Sequence, residues 1–160
     1  MQPLASLSRL YRFNDRLIDL TTEGFSDDDW LHRPSRRGGN HAYWILGHLA
    51  HSRRGILRGL GRSVPTAPWE EHFKRGSKPG EGMDGPAPAE LKGDFHSSGE
   101  TLANRIEEIT PEEAAAPYVR KVPDGSQDVA GAMHFMLWHE AGHLGQLTLL
   151  RRAVGKPGLA

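Results

Sequence analysis

The chain has no cysteine. Disulfides and thiolate metal sites are therefore excluded, and any bound metal has to be held by imidazole, carboxylate or water. Nor is there a net charge: 20 basic side chains balance 20 acidic ones, so no broad field favours nucleic acid or an acidic membrane surface. No apolar run approaches the roughly 20 residues that cross a bilayer. At the N-terminus, "MQPLASLSRLYRF" is broken by polar residues every few positions, which denies it the apolar core of a signal peptide. The expectation is a soluble, cytoplasmic protein that contacts neither nucleic acid nor membrane. No stretch alternates long enough to read as a strand, which turns attention to helices.

Of the 160 residues, 37% are apolar, enough for one domain spanning 1–160 with a core of its own. Four helical segments emerge. The first, about Leu4 to Thr22, places Leu7, Leu10, Tyr11, Leu17 and Ile18 at helical spacing and is closed by Gly24. In "SDDDW", Ser26 is an N-cap with acidic residues behind it, predicting a short turn of helix before Pro34. A flexible "RRGG" then leads to Asn40, the expected N-cap of a second helix from His41 to about Leu60. From Gly61 to Pro88 there are five glycines and five prolines, a density that no long helix tolerates, with room for one turn at "WEEHFK". The third helix runs from about Ala89 to Ile109, and "TPEE" follows as a helix start with proline at its first position. "YVRKV" reads as a short extended piece. The fourth helix, about Gln127 to Val154, stops at "GKP". The expected architecture is all-α, a single four-helix bundle whose long connections permit parallel neighbours.

Nine histidines carry the chemistry. "HEAGH", residues 139–143, fits the H-E-x-x-H pattern of zinc metalloproteases. Its two histidines lie about 40° apart on one helix face, on the stripe of Ala132, Met136, Leu147 and Leu150, so the pair points inward. Two neutral imidazoles there need partners, two charged ones repel, and a divalent cation resolves both problems. A third ligand is required. Downstream of His143 the chain offers no histidine, aspartate or glutamate, which argues against a protease. The second helix offers His41, His48 and His51. His41 sits in its first turn and His51 lies toward solvent, whereas His48 is mid-helix like His139 and His143. On that ground His48 is the chosen ligand and His51 the substitute.

The segments "NHAYWILGHLAHSRRGILRGLG", "WEEHFKRGSKPGEG", "APAELKGDF" and "MLWHEAGHLGQLTLLRRAVGKP" together resemble the DinB/YfiT-like superfamily over nearly the whole chain. The specific part of the likeness is one histidine in the second helix and H-x-x-x-H in the fourth, here His48, His139 and His143. The resemblance implies a left-handed bundle running up-down-down-up with long crossovers, often dimeric, that binds zinc, nickel or a similar divalent metal. It also implies a chemistry of thiol-dependent transfer or isomerisation that uses a low-molecular-weight thiol.

Three imidazoles leave a tetrahedral cation one open position, the arrangement of a catalytic metal. Water there becomes acidic enough to attack an electrophile, and an external thiol binds as thiolate. Without cysteine, that thiol has to arrive as a cosubstrate. Zinc, nickel, copper and iron all suit such a donor set. Glu140 is a general base in the protease pattern and a hydrogen-bond partner of an imidazole or bound water in a bundle. Gln146, one turn beyond His143, is placed to orient a substrate or hold a ligand, and Trp44, one turn before His48, to wall a pocket. Trp138 is expected in core or dimer packing. The Arg53–Arg54 and Arg151–Arg152 pairs are candidates for an anion, or simply a solvated surface. The leading reading is a metal-dependent transferase or hydrolase of a small molecule. The alternatives are a bundle that binds metal or ligand without turnover and, last, a protease.

Overall fold

A computed structural model describes residues 4–35 and 38–159. Of the flexible stretch expected at 36–39, Arg36 and Arg37 lie outside the described residues. The described chain is all-helical: α1 (Ala5–Thr22), α2 (Asp27–Leu31), α3 (Ala42–Gly59), α4 (Glu70–Phe73), α5 (Pro88–Glu107), α6 (Pro111–Ala114) and α7 (Val129–Ala153). The four long helices lie where periodicity places them, and the three short ones fall at "SDDDW", "WEEHFK" and "TPEE". Among the described residues there is no strand; the extended piece amounts to one bridge, Pro117 with Asp128.

Local chemistry sets the boundaries. Ser26 caps α2 through the Asp29 N–H while the Asp29 carboxylate accepts from the Ser26 N–H. Helix α3 starts one residue later than expected: its cap is His41, whose Nδ1 accepts the Trp44 N–H at 3.1 Å, and not Asn40. Helix α7 is capped by Asp128, which accepts from the Gly131 N–H at 2.7 Å.

Helices α1 and α3 each pack against both α5 and α7. Two apolar clusters fill the interior. One gathers Ile18, Ile45, Leu49, Leu91, Phe95, Leu144 and Leu147; the other gathers Leu7, Tyr11, Ile56, Leu57, Leu102, Ile106 and Met133. Between them along the chain lies a polar layer centred on Arg53, which is 0% exposed. Its Nε and Nη2 donate to the two oxygens of Glu140 at 2.8 and 2.7 Å, and Nη1 donates to Asp15 at 2.5 Å and to the Phe95 carbonyl at 2.9 Å. Asn14 adds a bond to Glu140 at 2.9 Å. The guanidinium lies over the Phe95 ring, 3.5 Å from its centroid, and Gly99 makes the room, since a Cβ there would overlap Arg53. Two charges taken out of water are tolerated because nearly every donor and acceptor is engaged.

Candidate metal centre

Helix α3 supplies His48 and α7 supplies His139 and His143, one turn apart. The Nε2 atoms of His48 and His139 are 3.2 Å apart, as are those of His139 and His143. The ligating atoms of all three lie within 4.8 Å of one another. Tetrahedral coordination at 2.0–2.1 Å puts neighbouring nitrogens about 3.3 Å apart, so the spacing suits a small divalent cation.

The outer nitrogens fix which way the rings turn. His48 Nδ1–H donates to the Phe73 carbonyl at 2.7 Å, and His143 Nδ1–H donates to Gln146 Oε1 at 2.8 Å. Each neutral ring therefore turns an Nε2 lone pair toward His139 Nε2, where a single N–H cannot serve both. A cation at the centre satisfies all three. The remaining nitrogen, His139 Nδ1, is buried and has no hydrogen-bond partner among the described residues. Burial holds the pKa of His48 and of His139 down to about 4 and lowers that of His143, so all three are neutral and able to ligate at neutral pH.

His48 is anchored by packing as well. Its ring stacks on Trp44, with centroids 4.8 Å apart and planes 8° from parallel. Gly47 lacks the Cβ that would overlap the Phe73 ring, so α4 settles against α3 and delivers the Phe73 carbonyl to His48. Trp44 Nε1 is tied to Ser77 at 3.2 Å.

The depth of the site differs from the sequence expectation. His48 is buried, but His139 and His143 are half-buried, because their face of α7 looks onto a cavity and not onto a packed helix. The cavity, about 480 Å³, is walled by α3, α7, the segment after α4 and the segment before α7. Trp44, His51, Ile56, Tyr118, Phe135 and Met136 are among its lining residues.

His51 is not in the cluster. Its Nδ1–H donates to Glu70 at 2.9 Å, leaving Nε2 free on a side chain that lines the cavity. Glu70 is buried and accepts also from Arg54, Arg58 and the Ala67 N–H. Burial alone would push its pKa up; these bonds outweigh it and hold the carboxyl at about 2.

Glu140 faces away from the cluster. Both of its oxygens are taken by Arg53 and Asn14, and among the described residues no hydrogen bond runs from it to a histidine. Its hydrogen bonds run to the polar layer around Arg53. Gln146 holds His143 but is exposed. Trp138 is 70% exposed and so is not core. Of the arginine pairs, Arg53 is buried, Arg54 binds Glu70 and Asp94, and Arg151 donates to the Pro157 and Glu23 carbonyls.

The signal for Arg53 was present in the sequence. It continues the stripe of Ile45, Leu49, Ile56 and Leu60, a charge where the periodicity demands an apolar residue. Asn14, between Tyr11 and Ile18, and Glu140, between Met133 and Leu144, interrupt their stripes in the same way.

The family model described as the DinB superfamily matches residues 9–147. No curated protein matches the chain.

Proposed function

The chain belongs to the DinB superfamily, and from that premise we propose that it is a metal-dependent enzyme acting on a small molecule, by transfer of a thiol or by hydrolysis. The observation that carries this reading is that three imidazole nitrogens converge on the wall of an open cavity and not inside a sealed core. A divalent cation such as zinc, nickel or iron, held by His48, His139 and His143, would supply Lewis acidity there, lowering the pKa of a water or of a cosubstrate thiol. The protein's own groups do the rest. Phe73 and Gln146 orient His48 and His143 by their Nδ1–H bonds. Phe135 and Met136 limit water on the α7 side. His51, held by Glu70, has a free Nε2 with which to accept the departing proton.

The long helices are read as a bundle running up-down-down-up. Its support is that the N-terminal half of α1 and the first turns of α7 share an apolar cluster with the C-terminal halves of α3 and α5. A homodimer is part of the proposal. Trp138 and Leu149 on α7 and Leu10, Phe13 and Leu20 on α1 are exposed apolar side chains on two helices that pack together. Among the described residues no helix is long and apolar enough to cross a membrane, in keeping with a cytoplasmic place of work.

The test is metal analysis of the purified protein beside His48→Ala, followed by assays with low-molecular-weight thiols and electrophilic acceptors. One equivalent of metal, lost in the variant, is expected. Unchanged metal in His48→Ala would end the three-histidine proposal. Light scattering of Leu149→Glu tests the dimer, which should dissociate.

A further inference from the structure

Seven of the described arginines have a carboxylate partner, among them Arg33 with Glu81 and Arg53 with Asp15 and Glu140. Arg12 binds Glu107, Arg54 and Arg58 bind Glu70, Arg62 binds Glu108, and Arg105 binds Glu113. Around the cavity such partners are missing. Arg75, Arg120 and Lys121 all line it, none has an acidic partner among the described residues, and no aspartate or glutamate contributes to the lining. Arg120 is exposed, but it is laid along the protein surface. Its guanidinium folds onto α3 at Gly55, so close that a Cβ there would stand 2.6 Å from Nη1. Next to it, Tyr118 occupies the space beside Gly59 in the same way. These two glycines, one turn apart, let the segment before α7 lie flat on α3 and carry Arg120 over the cavity.

The other half of the lining is apolar: Ile56, Val122, Phe135 and Met136, beside the faces of Trp44 and Tyr118. Three unpaired cations beside such a surface make poor company for a neutral or cationic ligand. They suit one with a negative group at one end and an apolar body at the other.

We propose that the cavity binds an organic acid, its carboxylate held by Arg120, Lys121 and Arg75 and its apolar body lying against Phe135, Met136 and Ile56, beside the three histidines. The inference rests on the reading of this cavity as the substrate side of the metal centre. It deepens that reading by naming the class: the substrate, or the thiol that accompanies it, is a carboxylate. Guanidinium and ammonium groups are donors with no acceptor capacity, so they select the ionised acid over an amide of the same shape.

The test uses three probes of one length: 4-phenylbutyrate, 4-phenylbutanamide and 4-phenylbutylamine. Each is titrated into the full-length protein by calorimetry, with metal content measured on the same samples. The acid is expected to bind at least about tenfold more tightly than the amide, and more weakly as salt rises; the amine should not bind. Arg120→Gln/Lys121→Gln should abolish the preference for the acid while metal content and melting temperature stay as they were. Equal affinity for acid and amide overturns the proposal, as does failure of all three to bind. So does a preference that survives undiminished in the double variant, since Arg120 and Lys121 would then take no part in holding the acid. The two readings fail separately. A protein that holds no metal but still prefers the acid refutes the metal centre alone, and a metal-loaded protein indifferent to the probe's charge refutes this inference alone.

Discussion

Residues 139 and 140 are neighbours in the chain and belong to two different polar clusters between α3 and α7. Glu140 joins Arg53, Asp15 and Asn14 in a layer sealed by Phe95 and by the absent side chain of Gly99. His139 joins His48 and His143, where lone pairs converge, one buried nitrogen is left without a partner, and solvent enters through a cavity. Both clusters cost desolvation. The first recovers that cost internally, bond by bond, and so contributes to a single folded arrangement. The second does not: its Nε2 lone pairs converge, and a cation bound among them would satisfy them. Two adjacent residues about 100° apart on a helix thus serve opposite purposes.

The contrast breaks most visibly on the sealed side. Arg53→Ala should cost about 3–5 kcal/mol, because it strands the Glu140 carboxylate in the interior. Urea unfolding measures this, and whatever protein folds should keep its metal. On the open side, His48→Ala should weaken metal binding by roughly 100-fold or more, near 2.7 kcal/mol, while the chelated variant should lose about 1–3 kcal/mol against the chelated parent, the cost of one buried hydrogen bond and its packing. Competition with a chromogenic chelator reads the first and a melting curve the second.

Acid provides a third test. The folded pKa of His48 and of His139 lies near 4, below the unfolded value of 6.5. Above pH 6.5 both states are neutral and nothing is lost. Between 6.5 and 4 the unfolded chain takes up protons that the folded one resists, so the stability of the metal-free protein should fall as pH drops through that window, by about 2 kcal/mol after allowance for solvent in the cavity. Bound metal should move the fall to lower pH, and His48→Gln should flatten it. The smallest effect is expected at Gln146: replacing it with alanine frees His143 Nδ1 and should cost about tenfold in metal affinity, with no change in melting temperature of the chelated protein.

Much of this was legible beforehand. Helical periodicity placed α1, α3, α5 and α7 to within a few residues, and the i, i+4 spacing of His139 and His143 with mid-helix His48 pointed to the cluster. Two things were not read. Glu140 was weighed as part of H-E-x-x-H, a pattern that says nothing about which neighbour each side of a helix meets; its partner comes from a residue 87 positions away. The cationic rim was sought at Arg53–Arg54 and Arg151–Arg152. Adjacency in sequence suggested a patch there, yet helix geometry sends neighbouring side chains apart, and packing had already assigned most of them. Arg120 lies in a connection without periodicity, where nothing local reveals which surface the backbone will cross.

The contact of Phe73 with Gly47 has a consequence for how this site can vary. The connection from residue 60 to 87 is long and carries only four helical residues, yet its midpoint is pinned where one ring fills the space of a missing methyl. A change of length on either side of that pin need not rotate the imidazole of His48, whereas one carbon added at position 47 would. The tolerance of the loop and the intolerance of the helix are two faces of the same contact, and grafting a new substrate-facing segment onto this scaffold should succeed only when that glycine and that ring travel together.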